Sequence, residues 1–87
     1  MPELVVDDSF KKRLRRKTPD LQAAIYECID RLADDPRHPG LRVHRVHGVA
    51  GVWEAYVDQA NRLTFHWDEG AIVLRNHCNH DILTRAP

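Results

Sequence analysis

Hydrophobic positions change their spacing partway along the chain, and the change divides it into a helical part and a stranded part. Leu21, Ala24, Ile25, Cys28, Ile29 and Leu32 recur at helical spacing and form one apolar stripe. Thr18-Pro19-Asp20 supplies a capping hydroxyl, a proline suited to the first helical position and an acid for the first turn. The stripe ends before Pro36, which biases Asp35 away from helical geometry. A shorter helix is predicted to begin near Phe10, capped by Asp8 or Ser9, with Phe10 and Leu14 on one face. Ahead of it, Glu3 to Asp7 reads as a short strand.

From residue 41 the period becomes 2. Leu41–His47, Val52–Asp58, Arg62–Trp67 and Ala71–Asn76 read as strands, separated by breaks at Gly48–Gly51, Gln59–Asn61 and Asp68–Gly70 that are short enough for hairpins. Alternation puts Trp53, Ala55, Val57, Leu63, Phe65 and Trp67 on one side of their strands. Glu54, Tyr56, Arg62, Thr64 and His66 fall on the other, and Arg75 opposes the apolar Ile72 and Leu74. The expected fold is α+β: two N-terminal helices packed on one face of a twisted antiparallel sheet of four to five strands, forming one domain over residues 1–87. The opposite sheet face then carries either an ordinary solvated surface or a site.

Composition narrows the function classes. Thirteen basic and thirteen acidic side chains leave a formal net charge of zero, which argues against indiscriminate, charge-driven nucleic-acid binding. The charge is nonetheless uneven, because Lys11 to Lys17 holds six cations in seven positions. No apolar run is long enough to span a membrane, and the acidic N-terminus lacks a signal-peptide layout, so a cytoplasmic protein is expected. Cys28 and Cys78 are too few for a disulfide framework, and Cys28 falls on the apolar stripe of the second helix.

The stretch Arg75-Asn-His-Cys-Asn-His-Asp-Ile-Leu83 gathers His77, Cys78, His80 and Asp81, all capable of ligating a metal. Their spacing matches no standard zinc motif, and adjacent strand residues point to opposite faces, so no metal is expected.

The order and spacing of several motifs resemble the RelE/ParE superfamily of toxins from toxin–antitoxin systems. Leu41 to Gly48 is similar to a Leu-x-x-His-x-Val-x-Gly segment, Gly51 to Val57 to the family's Trp/Tyr strand, and Asn61-Arg-Leu-Thr-Phe65 to its Tyr-Arg-Leu strand. The terminal strand followed by His80-Asp-Ile-Leu83 resembles the family's His-Asp ending, although His77-Cys78-Asn79 replaces the usual glycine and Leu83 the frequent Tyr or Phe.

The resemblance implies a toxin neutralised by an antitoxin. RelE-like members cut mRNA on the ribosome without metal or cofactor, through attack of a 2'-hydroxyl on the adjacent phosphate. ParE-like members instead act on DNA gyrase. On the RelE reading, Arg62 holds the scissile phosphate, His80 is general acid or base, and His44 is a second proton-transfer group. Arg75, Arg45, Tyr56 and Glu54 are then candidate substrate contacts, with Tyr56 a possible stacking surface for a base. Each also has a plain structural alternative, such as an Arg62 ion pair with Glu54 or Asp58. Ala55 and Tyr56 stand where relatives often carry a second arginine.

Overall fold

The computed structural model describes residues 2–79, and the side chains of residues 2–77. His80, Asp81 and Leu83 lie outside the described residues.

Strand β1 (Leu4–Val5) leads into helix α1 (Asp8–Arg15) and helix α2 (Pro19–Asp34). A short 3-10 turn (Pro39–Leu41) follows, and then β2 (His44–Arg45), β3 (Trp53–Tyr56), β4 (Asn61–Asp68) and β5 (Ala71–Asn79). The helix starts follow local chemistry. The Asp7 carboxylate accepts from the Phe10 backbone N at 2.7 Å, so the cap lies one residue before the expected Asp8 or Ser9. Thr18 caps α2 as expected, its Oγ1 accepting from Leu21 N at 3.3 Å with Pro19 in the first turn.

The strands form one sheet in the order β1-β5-β4-β3-β2. β2 to β5 are the expected antiparallel meander, while β1 pairs parallel to β5, which makes the full sheet mixed. A parallel neighbour needs a long crossover, and the two helices together with the meander supply it. The β4–β5 hairpin closes on Glu69 and Gly70, both at positive φ (49° and 84°), the pattern of a two-residue type I' turn.

β2 is shorter than the predicted Leu41–His47. His38 Nδ1 accepts from Gly40 N at 3.0 Å and coils Pro39–Leu41 into a 3-10 turn. Arg42 then adopts a left-handed conformation with φ of 49°, so regular pairing begins only at His44.

The core lies between the helices and the sheet. Phe10 and Leu14 from α1 and Ile25, Cys28 and Leu32 from α2 pack with Ala55, Leu63, Phe65, Ile72 and Leu74. Burial pushes the Cys28 thiol up to about 12, as expected of a cysteine acting as a small apolar residue. A smaller cluster of Val46 and Val52, with Val49 against it, closes the β2–β3 turn.

Between Thr64 and Phe65 the β4–β5 register shifts: Thr64 pairs with Asn76 and Phe65 with Leu74, leaving Arg75 as the extra residue of a bulge. One inserted residue reverses the parity of the strand beyond it. His77 therefore comes opposite Leu63 and turns into the core, where it is 4% exposed.

Candidate functional site

The polar face of β2, β3 and β4 brings together His44, Glu54, Arg62 and Tyr56. His44 and Glu54 are direct cross-strand partners, as are Tyr56 and Arg62. The Glu54 carboxylate is the centre of the group and is almost fully buried. Its Oε1 lies 2.8 Å from His44 Nε2 and 3.8 Å from Arg62 Nε. A buried carboxylate needs opposing charge or donors, and these two side chains provide them.

The His44 ring remains more than half exposed (59%), with its Nδ1 2.6 Å from the Arg42 carbonyl oxygen. Both ring nitrogens thus face oxygen atoms, which hold the ring in one orientation. Glu54 and the Arg42 carbonyl orient a solvent-facing imidazole, the arrangement that general acid–base catalysis requires of its orienting groups.

Arg62 is held from several sides. Its Nη1 donates to the carbonyls of Asp58 (2.6 Å), Asn61 (2.9 Å) and Gln59 (3.3 Å), closing the β3–β4 turn. The same turn is tied by Asp58 Oδ1, which accepts from the backbone N of Ala60 and Asn61. The alternative of an Arg62–Glu54 ion pair, open in the sequence, is thus realised, alongside a structural role at the turn.

Tyr56 carries two guanidinium groups over its ring, Arg42 at 4.8 Å and Arg62 at 4.9 Å. These cation–π contacts occupy the ring that the sequence offered as a stacking surface. Arg42 had no role in the sequence reading, because its left-handed backbone and its position over Tyr56 leave no mark in residue order.

The remaining candidates fall elsewhere. Arg45 lies 5.2 Å over the Trp53 ring, on the helix side of the sheet. Arg75 sits at the bulge, with Nη1 3.0 Å from His66 Nδ1 and its carbonyl accepting from Arg13 Nη2 at 3.2 Å. His80 lies outside the described residues. Among the described residues no three His, Cys, Asp or Glu side chains gather as a metal site. His77, counted in the sequence among possible metal ligands, is a core residue.

No family model and no curated protein matches the sequence at a significant level. Solved structures do match. A copper-bound mutant toxin from Helicobacter pylori is 21% identical, over 93% of this chain and 97% of that one, with a TM-score of 0.67. A YoeB/ParE toxin from Agrobacterium tumefaciens is 16% identical, over 90% and 98%, with a TM-score of 0.70. The archaeal RelE–RelB complex from Pyrococcus horikoshii OT3 contains a chain 14% identical, over 90% and 93%, with a TM-score of 0.69. The fold is that of the RelE/ParE toxins, and the likeness extends over nearly the whole length of both partners in each comparison.

Proposed function

We propose that this chain is the toxin of a toxin–antitoxin pair and acts in the cytoplasm as a RelE-type endoribonuclease, cutting ribosome-bound mRNA. The observation that carries the reading is the exposed His44 imidazole, oriented by buried Glu54 on a sheet face that also presents Arg42 and Arg62. In the reaction a base removes the proton of a 2'-hydroxyl, whose oxygen bonds to the adjacent phosphorus. The phosphorus–O5' bond breaks, and an acid protonates O5'. His44 and His80 are the two proton-transfer groups, and the guanidinium groups of Arg42 and Arg62 oppose the charge growing on the phosphorane. His44 releases one of its two held nitrogens to reach substrate, while Glu54 keeps the ring in place. The partner is an antitoxin, as in the solved RelE–RelB complex, and the cationic run Lys11–Lys17 suits an acidic segment of it.

Inducible expression of the wild type beside His44→Ala, His80→Ala and Arg62→Ala tests this, with growth and primer extension on mRNA scored together. The wild type is expected to arrest growth and cut within translated message. Losing a proton-transfer group should slow cleavage by roughly 10²–10⁴-fold. Growth with intact mRNA under strong induction of wild type would sink the nuclease reading.

One observation favours a second reading. Arg62 is committed to three carbonyls and to Glu54, which suits a scaffold that acts by binding protein, such as a ParE-like inhibitor of gyrase. Toxicity that survives both histidine substitutions, accompanied by gyrase-linked DNA breaks, selects it.

A further inference from the structure

On the helix side of the sheet, where the α2–β2 connection passes it, lies a cleft of about 710 Å³. Trp53, Trp67, the Asp35–Pro39 loop, Arg42 and Val43 line it. Trp67 is 44% exposed, a large fraction for so apolar a side chain. Its orientation is set from beneath by Phe65, which meets it edge-on with ring centroids 6.2 Å apart. Arg37 and Arg42 bring positive charge to the lining. The one lining carboxylate, Asp35, turns its Oδ1 to the Arg37 backbone N at 3.0 Å. Arg42 belongs to both regions, since it lines the cleft and also lies 4.8 Å over Tyr56 on the polar face.

We infer that this cleft is a second nucleotide site, receiving an unpaired base of single-stranded RNA against Trp67 with the neighbouring phosphates on Arg37 and Arg42. The chemistry is that of a stacking platform beside guanidinium groups: every base has a flat π face, and the phosphates need cations. Arg42 touches both regions, so a strand leaving the His44–Glu54 face would round the sheet edge at Arg42 to reach the cleft, and the site would hold RNA outside the bonds being cut. The inference rests on the RNA-directed reading above, but binding here needs no catalytic group, so the two can fail separately.

The chain has two tryptophans, and both line the cleft, so intrinsic fluorescence reports its occupancy directly. The test titrates the full chain carrying His44→Ala, which leaves the probe uncut, with a short single-stranded oligoadenylate. Saturable quenching that weakens with added salt is expected. Trp67→Ala should weaken binding, read by anisotropy of a labelled oligonucleotide, by about tenfold. Arg37→Glu, a surface change that leaves both indoles, should weaken it comparably and steepen nothing in the fold as judged by circular dichroism. Absence of quenching overturns the inference, as does unchanged affinity in both variants. Quenching by an acidic, leucine-containing peptide with oligoadenylate silent also overturns it, and marks a protein-docking surface instead. Oligoadenylate binding in the cleft by a chain that leaves mRNA intact in cells would uphold the site while removing the nuclease reading.

Discussion

The His77 ring packs edge-on against Phe10, with centroids 4.6 Å apart, and its Nε2 lies 3.3 Å from the Phe10 carbonyl oxygen. Donation from Nε2 to that carbonyl leaves Nδ1 unprotonated, and Nδ1 has no partner among the described residues. Burial holds the His77 pKa below its ordinary value; Lys17 and Arg13 push the same way, and the bond to Phe10 opposes them. An unfolded chain takes up a proton here near pH 6.5, whereas the folded chain resists it. The contribution to stability is therefore complete above that pH and is lost as the pH falls below it, until the folded group itself titrates. Urea midpoints measured from about pH 7.5 down to about pH 5 should fall in the wild type, and fall less in His77→Leu. Equal slopes in the two proteins would contradict this account. At the upper pH the variant should lose roughly 1–3 kcal/mol, from the missing hydrogen bond and altered packing. Residue identity alone could not place His77, because its facing depends on a bulge upstream of it.

Helices were the most legible elements because their signals are local. The stripe from Leu21 to Leu32 and the Thr18-Pro19 start lie within a few residues of the contacts they make, and α2 follows them closely. The same locality makes the caps testable. Asp7→Ala and Thr18→Ala should each cost about 1 kcal/mol in urea unfolding, by removing the acceptors for Phe10 N and Leu21 N. A change within a few tenths for both would show that the helix starts are held by packing alone. Strands were legible as alternating runs, and the faces of β3 and β4 came out as read. The bulge at Arg75 and the left-handed Arg42 were not, since each is imposed by a neighbouring strand or turn rather than by its own residue type.

At the level of the molecule, the parallel pairing of β1 with β5 covers what would otherwise be an open edge of the longest strand. Leu4 pairs with Ile72 and Val5 with Val73, and the Glu3 carbonyl accepts from Ile72 N at 2.8 Å. Leu4 and Val6 also pack against the core. Removing residues 2–6 should therefore cost roughly 2–4 kcal/mol of stability and leave β5 free to pair with another chain. Gel filtration over a concentration series is expected to show self-association of the truncated protein. A truncated chain that stays monomeric with the wild-type melting temperature would show that β1 is dispensable.

The candidate site divides along the same line. Glu54, Tyr56, Arg62 and His44 were recognisable as polar positions of neighbouring strands, because alternation is a property of each strand by itself. What they do to one another was decided by the sheet: the burial of Glu54 beneath His44 and Arg62, the tie from Arg62 to the β3–β4 turn, and the two cations over Tyr56. The sequence by itself determined the two helices, the Thr18 cap, the run of strands and the apolar sides of β3 and β4, all set by residues a few positions apart. Tertiary structure decided the parallel edge, the parity of β5 and the joining of Trp53 to Trp67 in one cleft. His77 touches Phe10 across 67 residues of chain, and a contact of that span exists only once every intervening element has been packed.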